Sequence, residues 1–209
     1  MSLRFTRVAF FCAGFVATMT MLGAPVFSQS KSREWVEPPA DLPRAQRGDR
    51  ARNLNLLFDA LKIAPDETIA KTIEGRIWAL FITSNSDTAN LLMSRVKTAV
   101  AKEDLDLAIR LLDSIIDLKP DYVEAWNRRA TVYFIKKDYS RSIADIRQVL
   151  AREPRHFGAL AGLGMIFQDI GDDARALDAF RRALAVHPHL DGMSERVKSL
   201  TEKVEGRDI

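Results

Sequence analysis

Three histidines are the residues of this chain best suited to metal binding or proton transfer. His187 and His189 flank Pro188, and His156 stands apart from them. A metal site needs further ligands, and no carboxylate lies near the histidine pair at the spacing of one helix face. Sequence patterns for a nucleophile elbow or a zinc-protease helix are absent. We therefore predict solvated histidines in turns, no metal, no cofactor and no enzymatic activity; an enzyme using His156 with neighbouring carboxylates is an alternative.

Three glycines could suggest a loop that binds phosphate. Gly158, Gly162 and Gly164 lie close together, but their spacing does not match a phosphate-binding loop, and no strand is predicted before them. A helix that approaches a neighbour closely also needs a small residue at the contact. We therefore predict that Gly164 lies at a helix–helix contact.

Composition limits the class of protein. The chain has 209 residues, of which 47% are hydrophobic and 28% are charged, as in a folded globular protein. Its single cysteine, Cys12, excludes an intramolecular disulfide and a cysteine-only zinc site. The net charge of +3 includes two arginines within the first 28 residues, and the rest is almost neutral. This charge does not favour nucleic-acid binding.

Residues 1–28 have the pattern of a secretory signal peptide. Arg4 and Arg7 precede an apolar run over residues 8–22, and small residues with a proline break follow it. We predict cleavage between Ser28 and Gln29 and export of the chain to a bacterial periplasm. In the alternative, residues 8–27 stay in the inner membrane as an uncleaved anchor, which is long enough to span it.

Residues 29–52 have the composition of a flexible tether. Pro38, Pro39 and Pro43 stand among mixed charges with little apolar periodicity. We expect no packed structure there, and we treat Trp35 and Val36 as an incidental apolar pair.

A period of 34 residues organises most of the remaining chain. Proline recurs at this step, and so does an aspartate sixteen residues before each proline; the members are Pro120, Pro154 and Pro188, and Asp104, Asp138 and Asp172. In this register, residues 89–122, 123–156 and 157–190 are three copies of one pattern. Each copy contains two apolar stripes at helical spacing, which predicts a pair of helices.

The pattern resembles the tetratricopeptide repeat. The third copy matches almost throughout, with Leu160, Leu163, Gly164 and Phe167 followed by Ala176, Phe180 and Pro188. The second copy keeps Trp126 and Tyr133 but has Arg129 where the family has leucine, and the first copy departs most. The resemblance implies an all-α, right-handed solenoid of three helix pairs.

Segments on both sides of the repeats have the pattern of helical caps. Residues 53–88 predict a degenerate helix pair, with Asp66 placed to cap its second helix. Residues 191–209 predict a terminal helix with Met193 and Leu200 on its apolar face and a charged opposite face. Both segments are expected to close the ends of the stack.

The resemblance also implies a binding surface. In this family the first helix of each pair lines a concave groove, at five fixed positions of the repeat. Carried over to this chain, the candidate groove residues are Asn90, Met93 and Lys97; Glu124, Asn127, Thr131 and Phe134; and Met165, Gln168 and Asp169. Amides, methionines and an aromatic ring suit an extended peptide or a partner helix.

The predicted function follows from this surface and the leader. We expect a periplasmic scaffold that binds a peptide or an envelope protein and aids assembly of a complex. The alternative is a structural subunit of an envelope complex, held by the uncleaved N-terminal helix. The family's clamp for C-terminal carboxylates needs several Lys, Arg and Asn residues, and this face offers only Lys97, Asn90 and Asn127. Binding of cytosolic chaperone tails is therefore not expected.

Overall fold

The computed structural model describes residues 47–206, which are entirely helical apart from short connections. The predicted signal peptide, its cleavage site and most of the predicted tether lie outside the described residues. Within them the chain forms nine helices: α1 (Arg47–Lys62), α2 (Glu67–Ile82), α3 (Asp87–Ala101), α4 (Leu105–Leu118), α5 (Val123–Ile135), α6 (Tyr139–Arg152), α7 (Phe157–Asp169), α8 (Asp173–Val186) and α9 (Met193–Val204). None of these helices has both the length and the apolar character needed to cross a membrane.

The three repeats form as the 34-residue period predicts. Helices α3 and α4, α5 and α6, and α7 and α8 pack in pairs, and each second helix packs on the next pair. Pro120, Pro154 and Pro188 lie in the connections between pairs, where a missing N–H breaks no helix. The sequence prediction of an all-α repeat solenoid is confirmed.

The turn inside each pair uses the same capping device. The carboxylates of Asp104, Asp138 and Asp172 each accept a hydrogen bond from the backbone N–H three residues later. The residue two places before the second helix adopts a positive φ in all three turns, at Glu103 (59°), Lys137 (58°) and Gly171 (80°). Only the third copy has glycine, the residue that adopts this conformation without steric cost.

Gly164 allows α7 and α8 to approach closely. A Cβ atom built on Gly164 would lie 2.4 Å from two ring carbons of Phe180, which is fully buried. No side chain fits at that distance unless the ring moves. The predicted role of Gly164 in helix packing is confirmed.

Arg129 replaces the family leucine with a polar junction. Its guanidinium donates two hydrogen bonds of 2.8 Å to Asp145 of its own pair and one of 2.7 Å to Asp113 of the preceding pair. The cation also lies 5.0 Å from the centre of the Trp126 ring. The hydrogen bonds to Asp145 first, and then those to Asp113, raise the pKa of Arg129 above its ordinary value. The first two repeats are therefore joined by a forked ion pair at this position.

The first helix pair, α1 and α2, is helical as predicted but lies in an unexpected place. Helix α1 begins at Arg47, within the segment predicted to be tether, and Asp66 caps α2 through the Ile69 amide. The pair packs mainly against α5 and α8 rather than against α3. Phe58, Leu61 and Phe81 share one apolar cluster with Phe157 of α7. The pair therefore lies along the connections between repeats and does not extend the stack.

Helix α9 packs against α8, the last helix of the third repeat. Met193 and Leu200 pack in a cluster with Leu177 and Phe180 of α8. Arg181 of α8 is hydrogen-bonded to Glu205, just beyond the end of α9, at 2.6 Å. This helix occupies the position that the sequence predicts for a cap.

Candidate partner-binding surface

The predicted groove residues lie on α3, α5 and α7, the first helices of the three pairs. Lys97 and Asp169 are exposed, and six others are half-buried: Asn90, Asn127, Thr131, Phe134, Met165 and Gln168. The half-buried side chains reach solvent while packing against their neighbours. Eight of the ten predicted residues therefore reach the surface of the described chain.

Three predicted groove residues have structural roles. Glu124 is 0% exposed and Met93 is buried in the core of the first repeat. The Asn90 side chain accepts hydrogen bonds from the backbone N–H and hydroxyl of Ser84, at 3.0 and 2.7 Å, and fixes the connection between α2 and α3. The prediction of an exposed groove contact is wrong for Glu124 and Met93: Glu124 is enclosed with Arg128 and His156, and Met93 packs in the core of the first repeat.

Glu124 is the centre of a buried polar cluster. Its carboxylate lies 2.5 Å from Nε of Arg128, 3.5 Å from Nε2 of His156 and accepts a 3.0 Å hydrogen bond from Asn127. Burial by itself raises the pKa of this carboxyl. The positive charge of Arg128, the nearby His156 ring and the hydrogen bond from Asn127 outweigh burial, and the pKa is lowered. The Glu124 carboxyl is thus held in its charged form inside the protein.

The prediction of solvated histidines is wrong for His156 and His187, which are buried, whereas His189 lies half-buried in its turn. His156 is 0% exposed; its Nδ1 accepts a hydrogen bond from the Ala159 amide at 3.0 Å, and its ring stacks on Phe81 at 4.5 Å. His187 is 1% exposed and its Nε2 lies 3.3 Å from Oε2 of Glu74 on α2. The prediction failed because α1 and α2 cover these turns. A buried His156 cannot reach a substrate from this position, so the alternative of catalysis by His156 has no support.

Gly158, near the start of α7, is in close contact with Trp78 of α2. A Cβ on Gly158 would lie 2.9 Å from Cη2 of Trp78, whose ring also contacts Phe157 edge-on at 5.3 Å. Helix α2 therefore covers the starts of α5 and α7. The surface left open lies toward the ends of these helices. No local sequence pattern indicates this contact, since its two sides are about eighty residues apart.

The open part of the groove combines an aromatic ring with amides and apolar side chains. Phe134 packs against Tyr139 at 5.9 Å, and the Tyr139 hydroxyl donates a 3.0 Å hydrogen bond to Asp169. Gln168 accepts a 2.9 Å hydrogen bond from Arg196 of α9. Ile135 and Ile170 are each 49% exposed where α5 and α7 end. Such a mixed surface suits a peptide with apolar side chains and backbone groups to pair.

The described residues hold no cluster of three or more ligands that could bind a metal ion. The open groove presents apolar side chains and polar groups at the surface. What the residues can do there is to bury apolar side chains and to pair with amide or charged groups of a partner.

Comparisons with known proteins agree with the repeat architecture. The family model for the tetratricopeptide repeat matches residues 94–146 and 137–190. A TPR repeat-containing protein of Rhizobium etli is 41% identical over 155 residues, which cover 74% of this chain and 76% of the relative. The chain belongs to the tetratricopeptide repeat family.

Solved structures show the same fold at low sequence identity. The first TPR of Spaghetti (RPAP3), bound to an HSP90 peptide, aligns with a TM-score of 0.54 at 17% identity over 58% of this chain and 96% of that chain. The TPR2B-domain:pHsp70 complex of yeast Sti1 gives 0.52 at 15% identity, with 56% and 99% covered. MamA gives 0.54 at 16% identity, with 79% and 89% covered.

Proposed function

We propose that this protein is a non-enzymatic interaction module that binds a peptide or a helix of a partner protein in the open part of its groove. The segment binds along α5 and α7, beyond the starts of these helices that α2 covers. Asn127 and Gln168 supply amide hydrogen bonds, and Phe134 and Met165 supply apolar contact. The partner is an envelope protein, and the interaction aids assembly of its complex.

The observation that carries this proposal is the equivalent placement of Phe134 and Gln168. The two residues occupy the same position of the 34-residue repeat in the second and third copies. Both are half-buried beside an exposed isoleucine, Ile135 or Ile170. Side chains that recur at a fixed step along parallel first helices suit an extended ligand, whose own side chains also recur. The first TPR of Spaghetti is bound to an HSP90 peptide and the TPR2B domain of Sti1 is in complex with pHsp70, which supports ligand binding by this architecture.

Crosslinking in intact cells tests the binding surface. A photoreactive residue at Thr131 should give a discrete adduct, which mass spectrometry identifies. The same residue at Arg147, exposed on α6, is the control position and should give none. Equal adducts from both positions would contradict a groove site.

Paired substitutions then measure the contribution of the groove. Asn127→Ala with Phe134→Ala should weaken capture of the crosslinked partner at least tenfold, since half-buried interface aromatics contribute strongly to binding. Ser140→Ala with Arg147→Ala on α6 is the matched control and should bind normally. Circular dichroism must show equal helicity for both pairs.

The proposed location rests on the sequence of residues 1–28, with its arginines and apolar run. A fusion of this chain to alkaline phosphatase should be active only when residues 1–28 are present. The intact mass of the mature protein distinguishes the two forms: cleavage after Ser28 supports a released protein, and a full-length mass supports the anchored subunit.

A further inference from the structure

A cavity lies between the first helix pair and the repeats, away from the groove. Its volume is about 370 Å³, near the lower end of the usual range for ligand pockets. Leu54 of α1, Leu80 and Phe81 of α2 and Val123 of α5 form its apolar lining. Three cationic side chains, Arg50, Lys119 and Arg152, come from three different parts of the chain to line the same space.

Arg50 is a half-buried cation without a carboxylate partner among the described residues. Its guanidinium donates to the carbonyl of Leu80, and the structure records no ion pair for it in the described part of the chain. Burial is the main influence and lowers the pKa of Arg50, although Asp121 and Tyr122 act in the opposite sense. A guanidinium has five N–H donors, and within residues 47–206 one of them, on Nη2, is engaged by the Leu80 carbonyl.

The two acidic residues of the cavity are already neutralised. Glu153 is held by Arg155 through two hydrogen bonds of 2.9 Å, and Asp121 lies 3.7 Å from Lys119. Arg152 donates to the Pro120 carbonyl at 3.1 Å and to Gln148. The cations Arg50 and Arg152 therefore leave a net positive charge beside an apolar lining.

We infer that this cavity binds an acidic peptide side chain, a carboxylate next to an aliphatic residue. The carboxylate pairs with Arg50 and Arg152, and the aliphatic neighbour packs on Leu54 and Val123. Guanidinium–carboxylate pairing is directional and is strengthened by partial burial. This site is separate from the proposed groove and shares none of its residues.

The test uses two peptides and the full chain. The probe is Ac-Leu-Glu-Leu-NH₂, and its uncharged isostere Ac-Leu-Gln-Leu-NH₂ is the matched control. Titration followed by amide NMR should move the signals of Asn85 and Val123 with the Glu peptide and leave them unmoved with the Gln peptide. Equal shifts from both peptides, or none from the Glu peptide, would overturn the assignment.

Substitutions distinguish binding of the Glu peptide in the cavity from non-specific attraction to positive charge elsewhere on the protein. Arg50→Ala and Arg152→Ala should each weaken binding of the Glu peptide about tenfold or more, because each loses a charge-assisted hydrogen bond. Arg147→Ala removes an exposed charge on α6 and should change nothing. If Arg50→Ala loosens α1, the Arg152 variant carries the test, because α6 belongs to the repeats. A loss as large with Arg147→Ala, or binding of inorganic phosphate in place of the Glu peptide, contradicts the proposal.

Discussion

The repeats and the first helix pair are both helical, yet they are held in place by different kinds of contact. In the repeats, most of the contacts described above occur at positions that recur at a fixed step, such as Asp138 with its own turn or Phe180 with Gly164. The first pair instead uses single contacts with distant turns, such as Glu74 with His187, 113 positions apart. The repeats are therefore positioned by contacts at recurring positions, whereas the first helix pair is positioned by one specific docking surface.

Gly164→Ala should have the largest effect and should act on the repeats. Its Cβ would lie 2.4 Å from the Phe180 ring, so the buried ring must move, and the free energy of unfolding should fall by about 2–3 kcal/mol. Urea unfolding measures this. Gly162→Ala is the matched control on the same helix: the nearest atom is 3.9 Å from its Cβ, and removing a helical glycine should raise stability by about 0.5–1 kcal/mol. Equal effects of both changes would contradict the close approach of α7 and α8.

Gly158→Ala should act on the docking of the first pair and leave the repeats intact. The new Cβ would meet the Trp78 ring at 2.9 Å, and we expect docking to weaken by about 1–2 kcal/mol. Hydrogen exchange should show faster exchange in α1 and α2 and unchanged exchange in α7 and α8. Gly75→Ala on α2, whose Cβ would meet no atom within 4 Å, should not speed exchange. Faster exchange throughout the chain would mean that the two regions do not behave separately.

Glu74→Gln should give the smallest effect and should depend on pH. Burial raises the pKa of Glu74, but hydrogen bonds from His187 and Trp78 and the charges of His187 and Lys71 outweigh it, so the pKa is lowered from 4.5. A lowered folded-state pKa contributes stability above the unfolded value of 4.5, and the contribution disappears as the pH falls through the folded value. The variant should therefore be less stable by about 1 kcal/mol at pH 7.

Urea titrations between pH 3 and pH 7 measure this difference between the two proteins. The difference should shrink toward zero as the pH falls below 4.5. Because both proteins keep Glu124, whose pKa is also lowered, its contribution cancels. A difference that stays constant with pH would show that the Glu74 charge does not stabilise docking.

The repeat fold could be predicted because its determinants are local and repeated. Pro120, Pro154 and Pro188 indicate the corners, and the three capping aspartates indicate the helix starts. The position of the first pair could not be predicted, because Trp78 and Gly158 carry no pattern that links them. The histidine prediction failed for the same reason: a turn that is exposed in an isolated repeat becomes buried when another part of the chain packs on it.

The candidate groove was predictable only in part. The repeat register places Thr131, Phe134 and Gln168 on the first helices, and these residues do reach the surface. The same register also places Glu124 there, although α2 covers it. A register assigns a side chain to one side of its own helix, and it does not indicate which other helices pack against that side.

The forked pairing of Arg129 has a consequence for how this chain can be rearranged. One arm of the guanidinium needs Asp145 within its own pair, and the other needs Asp113 in the pair before it. The third copy has Leu163 at the equivalent place and offers no such cation. Exchanging the second and third copies would leave Arg129 without its upstream carboxylate and Asp113 without its cation. The order of the repeats along the chain is therefore fixed by the contacts of Arg129, and the repeats cannot be exchanged without loss of these contacts.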